Sequence, residues 1–444
     1  MSTAAATTAA ATLARLAERA APPGPAFLAE LRRGARERFA ALGLPTTRLE
    51  DWRYTSLSGL APLAFAAADP AAPLDPAALA RLAGPPAGPR LVFVNGRYRA
   101  ALSTPGRLPP GAFAGSLAEA LRERPAAVEP HLGRLAAVEG HAFAALNTAV
   151  FEDGAALLWP ERASLADPVE LVFVTVAAGA EPVAVAPRVL VAAGAGSDLT
   201  VAESHLGLAE GPTLTAAVTE VVVEEGARVD HYRIQDEAPR TYHLGALASR
   251  QAEESRFATH AIAVGAALSR SEVRAVLAGE GGEARVNGLY LAAGRQVVDN
   301  LSLIEHARPR CLSRETFKGV LDGESRAVFG GRIRVLEGAQ KSDAYQLNSN
   351  LLLSEGAEVD TKPQLEILAD DVKCGHGGTV GQLDEDALFY LRSRGIARER
   401  ARGLLIYAFA GEMVELVRPR ALRDRVARLV AARLPEGERI LEAA

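Results

Sequence analysis

The stretch NSNLLLSEGAEVDTKPQLEILADDVKCGHGGTVGQLDEDALFYLRSRGI (348–396) changes character in its middle. Up to Asp384 it reads as short extended segments. In AEVDTKPQLEI (357–367), Val359, Leu365 and Ile367 fall on one face of a strand, and Glu358, Lys362 and Glu366 on the other. After Asp384 the spacing becomes helical. Asp384 is placed to cap a helix through 385–394, and Gly395 is placed to end it.

Upstream the extended pattern continues. From about residue 155 to 380, short runs of Val, Leu and Ile alternate with turn signals such as 194–198, Glu225-Gly226, Gly281-Gly282 and Asp322-Gly323. Glu-Gly-Ala recurs at 225–227, 337–339 and 355–357, each time before an extended segment. So many short strands predict a sandwich, a barrel or a β-solenoid, and the frequency of small residues favours the solenoid.

The flanks read differently. Between about 10 and 150, helical stretches alternate with Pro-rich breaks at 69–76 and 84–89. Leu28, Leu31, Ala35 and Phe39 predict one apolar helix face, and LVFVNGRY (91–98) a hairpin turning at Asn95-Gly96. Downstream, LIYAFAGEMVE (405–415) predicts a helix, and Pro419 suits the first turn of another carrying Leu422, Val426, Leu429 and Val430. The chain therefore divides into a mainly helical region, 1–150, a β core, 151–383, and a helical end, 384–444. In that end Leu388, Leu391, Leu405, Phe409 and Met413 exceed what two short helices bury on themselves, which marks them for a partner.

Composition sets outer bounds. The 444 residues allow two or three domains, and 49 % hydrophobic residues allow a large core. A net charge of -5, without a long basic run, argues against nucleic acid. No stretch approaches ~18 uninterrupted apolar residues, so no transmembrane helix is predicted. Two cysteines, Cys311 and Cys374, fit a reduced, cytoplasmic setting better than a disulfide framework. The opening MSTAAATTAAATLARLAERA lacks the pattern of a secretory signal and reads as a frayed helix, with a transit peptide as the alternative.

Chemistry concentrates in DDVKCGHGGTVGQLD (370–384). Cys374 and His376 are two apart, so on a strand both leave the same face, with Cα atoms about 6.6 Å apart. A thiolate and an imidazole so placed can share a metal, and a nearby Lys373 would help depress the thiol pKa. The plainer alternative makes Cys374 a small buried hydrophobe and His376 a hydrogen-bonded turn residue. Two donors fall short of a tetrahedral site, so a site shared with another chain is the simpler completion. Cys311 and His306 form a looser pair. No phosphate-binding loop, H-E-x-x-H, G-x-S-x-G or C-x-x-C occurs. Asp370-Asp371 would serve a β-helical enzyme acting on glycans or small metabolites, but neighbours on a strand point to opposite faces. Such an enzyme also wants aromatics, and the only tryptophans are Trp52 and Trp159.

The segments EVDTKPQLEI, DDVKCGHGGTVGQLD and LFYLRSRGI, in unbroken order and followed by LIYAFAGEMVE, closely resemble the signature of the SufB/SufD family of iron–sulfur cluster assembly proteins. LNTAVFEDG (146–154) and LSLIEHARPRCLSRETFKGVLDGESRAVFGG (301–331) fit more loosely. EDWRYT (50–55), the modest length and the two cysteines resemble the SufD type; the SufB type is the nearer alternative, and it needs cysteines this chain lacks. The resemblance implies a right-handed parallel β-helix flanked by an N-terminal mixed domain and a C-terminal helical domain. It implies a scaffold without a catalytic cycle of its own, paired with SufB, its C-terminal helices docked on the ATPase SufC. It allows self-pairing when SufB is absent. His376 and, secondarily, Cys374 match the family's cluster-site pair. The cluster is implied to be transient, at the interface, and not stably held by the isolated chain.

Overall fold

The computed structural model describes residues 3–19, 24–136 and 138–441. Of the Ala-rich opening and the other regions read above, residues 1–2, 20–23, 137 and 442–444 lie outside those described.

From Gly154 to Gly381 the chain passes back and forth between two parallel sheets. Thr213–Val223 lies in one, Arg228–Asp236 in the other, Thr241–Gln251 in the first again. The first sheet runs through Gly154–Trp159, Arg188–Ala193, Thr213–Val223, Thr241–Gln251, Leu268–Leu277, Val297–His306 and Arg326–Val335. It ends on Glu358–Thr361 and Gln364–Ile367. The second runs through Val169–Thr175, Asp198–Gly207, Arg228–Asp236, Arg256–Ala263, Glu283–Ala292, Leu312–Leu321 and Asp343–Leu352, and ends on Lys373–Gly381. This is a parallel β-solenoid of about seven turns.

The strands of the first turns read as apolar runs because both faces of the sheets are covered there. Val169–Thr175 and Thr213–Val223 are buried at every position. Between the sheets lies one long core that includes Phe93, Val201, Phe257, Val286, Phe317, Phe329 and Ile333. The Glu-Gly-Ala triplets are corners of the coil: Gly226 takes φ 64, and Ala227, Ala339 and Ala357 are buried in that core.

The outer face of the first sheet is covered from the N-terminal side. Leu13, Phe39, Trp52, Leu60 and Phe143 pack against Leu214, Leu244 and Leu268. The opening helix, Thr3–Glu18, packs on this layer through Ala9 and Leu13, both fully buried. In the helix Ala26–Leu42 the predicted face is inward at Leu28, Ala35 and Phe39. The hairpin closes with Phe93 opposite Tyr98, and Asn95 and Gly96 take φ 51 and 78. Its first strand, Arg90–Val94, also extends the second sheet.

The C-terminal helices cover the outer face of the second sheet. Ile406, Ala410, Met413, Val414, Leu422, Val426 and Val430 pack against Tyr232, Ile234, Ile262, Leu289 and Val320. Asp384 caps Glu385–Ser393 by accepting from the backbone N–H of Asp386 and Ala387, and Gly395 follows at φ 85. The next helix, Arg398–Glu415, starts earlier than its apolar pattern suggested, because Arg398–Arg402 continue it with good helix formers. No described helix is long and apolar enough to cross a membrane.

Candidate functional site at the open end of the solenoid

Both sheets stop at the same end of the coil. Lys373–Gly381 is hydrogen-bonded to Asp343–Leu352 on one side, and no described strand pairs with its other edge. Glu358–Thr361 and Gln364–Ile367 likewise form the outer edge of the first sheet, broken at Lys362-Pro363. Such edges carry backbone groups free to pair with another chain.

The register places the two candidate donors. Cys374 stands on Ala344 and His376 on Gln346, both of which are buried and inward-facing. Cys374 and His376 therefore share the inward face of the last strand, as their spacing predicts. Cys374 is half-buried against the interior core, and His376 is exposed. Burial pushes the Cys374 thiol up, and the charge of Asp343 adds to the rise against a hydrogen bond at the Ala344 backbone. The predicted help from Lys373 is not realised, because as the next residue on the strand it faces the opposite way and is exposed.

The other sequence candidates resolve into structural parts. His306 is buried between two hydroxyls, Ser342 at 3.2 Å and Ser313 at 2.8 Å, and burial pushes it down to about 4. Cys311 is buried and donates to the Gly279 carbonyl at 3.3 Å. Both cysteines are free thiols. Asp370 and Asp371 lie in an exposed bend, where Asp371 pairs with Lys341 and donates its N–H to Gln340. They are the tie of a corner. A cleft of ≈ 380 Å³ has Glu50, Tyr54, His141 and Glu272 in its walls. Two pairs of its ionisable groups are committed to each other: His141 to Glu272 at 2.8 Å, and Lys362 to Glu50.

Of the residues marked for a partner, Leu388 and Met413 are buried within the chain, and Leu391, Leu405 and Phe409 are half-buried. The exposed apolar side chains of the first C-terminal helix are Phe389, 72 % exposed, and Tyr390, 56 %.

Sequence reasoning missed the polar interior. Glu203 accepts from His205 at 2.7 Å, His231 at 3.1 Å and Thr219 at 2.8 Å, all buried. Glu237 binds His243 at 2.7 Å and Thr215 at 2.6 Å; burial opposes its ionisation, but His243 holds it at about 2. Glu315 is fully buried, and burial pushes its carboxyl up to about 7, with the nearby Ser302 hydroxyl opposing the rise. The available signal was the appearance of Glu, His and Gln at inward positions of otherwise apolar strands. Among the described residues, no three His, Cys, Asp or Glu side chains group closely enough to hold a metal ion.

Comparison with known proteins agrees with this architecture. The family model for the SufBD core domain of the SUF system for FeS cluster assembly matches residues 173–409, and that for the SufBD protein N-terminal region matches 18–171. An iron–sulfur cluster assembly SufBD family protein of Synechocystis is 35% identical over 417 residues, 92% of this chain and 91% of that protein. The iron–sulfur cluster assembly protein SufD of Escherichia coli is 34% identical over 398 residues, 89% and 91% of the two chains. A chloroplastic protein of Arabidopsis thaliana is 36% identical over 241 residues, 54% of this chain and 51% of its own.

Proposed function

The chain belongs to the SufBD family of iron–sulfur cluster assembly proteins, and from that premise we propose that it is a SufD-type scaffold whose open solenoid end pairs with a SufB-type subunit. The observation that carries the proposal is the coincidence of donors and edge. His376 and Cys374 lie on a strand with one edge unpaired among the described residues, so a second chain added there brings its own ligands to them. Iron and sulfide are the substrates of this site. His376 is the principal donor of this chain and Cys374 the secondary one, because a thiol raised by burial is a poor thiolate until a metal or a partner changes its surroundings. With two donors the isolated chain holds no cluster stably.

The same reading assigns Phe389 and Tyr390, with half-buried Leu391, Leu405 and Phe409, to contact with a SufC-type ATPase. Their helix packs on Arg398–Glu415, which rests on the second sheet, so a push on it reaches the sheet that carries His376. The work of this chain is to hold and shape the site, in the cytoplasm, with hydrolysis left to the ATPase.

The test is His376→Ala in the assembled complex. Anaerobic purification should give an intact complex by size exclusion, with iron and sulfide cut severalfold. Wild-type cluster content would remove His376 from the mechanism, and a complex that falls apart would make it a packing residue.

A further inference from the structure

Beneath His376 the interior column ends in a run of polar residues. Following the register from strand to strand, it reads Val201, His231, Thr259, Val286, Glu315, Gln346 and His376. The last three are polar, and the first two of these are completely buried. Neither carboxylate oxygen of Glu315 meets a hydrogen-bond donor, nor does Oε1 of Gln346. From the opposite sheet, Ser302 and Asn300 also face inward, and Ser302 Oγ and Asn300 Nδ2 are buried without partners. Around them the interior is Phe317, Phe329 and Ile304. Unmet polar atoms in such surroundings are costly, and sites that keep them commonly have something to satisfy.

The cell has a roof. Gln346 stretches across the lumen and donates Nε2 to the Gln364 carbonyl of the opposite sheet at 3.2 Å. It can do so because Gly331 has no Cβ, which would overlap Gln346 Oε1. Adjacent strands are about 4.8 Å apart, so Glu315 lies roughly 10 Å beneath His376, too far to share an ion with it.

We propose that Glu315, Ser302 and Gln346 form an interior oxygen-donor site that takes one divalent cation, a waiting position for substrate ferrous iron behind the assembly site at His376. The proposal rests on cluster assembly taking place at the open end. As the ion arrives, the Glu315 carboxylic acid gives its proton to solvent and the carboxylate oxygen binds the metal; nothing is oxidised or reduced. One carboxylate with two neutral oxygens is a weak, hard-ligand set, with dissociation constants on the order of 10⁻⁴–10⁻³ M. Such an ion exchanges freely and is lost on desalting. Rotation of the Gln346 side chain, held by a single neutral hydrogen bond, opens the cell toward His376.

Manganese(II) titration of the isolated full chain, followed by the electron paramagnetic resonance signal of the free ion, tests this without any cluster. Wild type should bind one ion at pH 8, and roughly tenfold more weakly at pH 6, since binding displaces a proton. Glu315→Gln, which keeps the shape and removes the charge, should weaken binding at least tenfold. If Glu315→Gln lost its cooperative melt, Ser302→Ala with Gln346→Leu would replace it, with a loss of threefold or more expected. Equal affinity in wild type and the Glu315 variant, or in wild type and the replacement pair, would overturn the inference, as would no binding at millimolar manganese. These outcomes are independent of whether His376→Ala lowers cluster content in the complex.

Discussion

His376 stands in register one strand beyond Gln346, and Gln346 reaches across the lumen to the Gln364 carbonyl of the other sheet. The exposed imidazole thus rests on a residue that ties the two sheets together at their open end.

Cys374 and His376 should not be equivalent. The thiol is half-buried and raised by burial, while the imidazole is exposed at the edge. In the complex, Cys374→Ala should retain more iron and sulfide than His376→Ala, measured side by side after anaerobic purification. An equal or greater loss in the cysteine variant would reverse the assigned roles.

Phe389→Asp combined with Tyr390→Asp should abolish co-purification with the ATPase and leave the melting temperature nearly unchanged. Both side chains are exposed, so they contribute little to this chain's own core. Removal of the whole segment from 384 onward is a poorer test, because Ile406, Met413, Val426 and Val430 cover the second sheet. Size exclusion with the ATPase present reads the result.

Acid should destabilise the chain before its carboxylates titrate. Burial holds His260 and His306 neutral, each pushed down to about 4. Unfolded imidazoles take a proton near the ordinary value of about 6.5, so between pH 6.5 and 4 the unfolded chain binds more protons and stability falls as pH drops. Each shift corresponds to roughly 3 kcal/mol at its full extent. His306→Gln should flatten the fall in denaturant midpoint between pH 7 and 5.

Glu315 runs the other way. Its folded carboxyl is raised to about 7, so the stability it contributes is present below the unfolded value and is lost as pH rises through 7. Without added metal, Glu315→Gln should therefore melt higher than wild type at pH 8, with the difference vanishing near pH 5. A difference independent of pH would place the effect in packing and not in charge.

Trp52 should matter for stability and not for cluster content per folded complex. Its ring lies 3.8 Å beneath the Arg270 guanidinium, which pairs with Asp299 and Glu272, and Thr55 donates to Asp299 at 2.5 Å. EDWRYT is thus the fastening of the N-terminal region to the first sheet. Trp52→Ala should cost about 3–5 kcal/mol in chemical denaturation, and Trp52→Phe clearly less.

The sequence by itself determined the local elements, because period and punctuation are local. The alternation in 357–367, the Asn95-Gly96 turn, the Asp384 cap and the Gly395 stop all stand where residue chemistry put them. It also determined that Cys374 and His376 share a face, since a two-residue step on a strand allows nothing else. A long, ordered run of signature residues pointed to the family, though the periodicity alone left solenoid, sandwich and barrel open. Only the tertiary structure decided what stands next to what. Pairings such as Glu315 with Gln346 join residues about thirty apart with no local mark of register, which is set by packing around the whole coil. For the same reason the burial of Leu388 and Met413 and the exposure of Phe389 and Tyr390 had no signature in the linear pattern. A strand reveals which side chains share a face, but whether that face meets a core, a helix or an open end depends on where the coil stops.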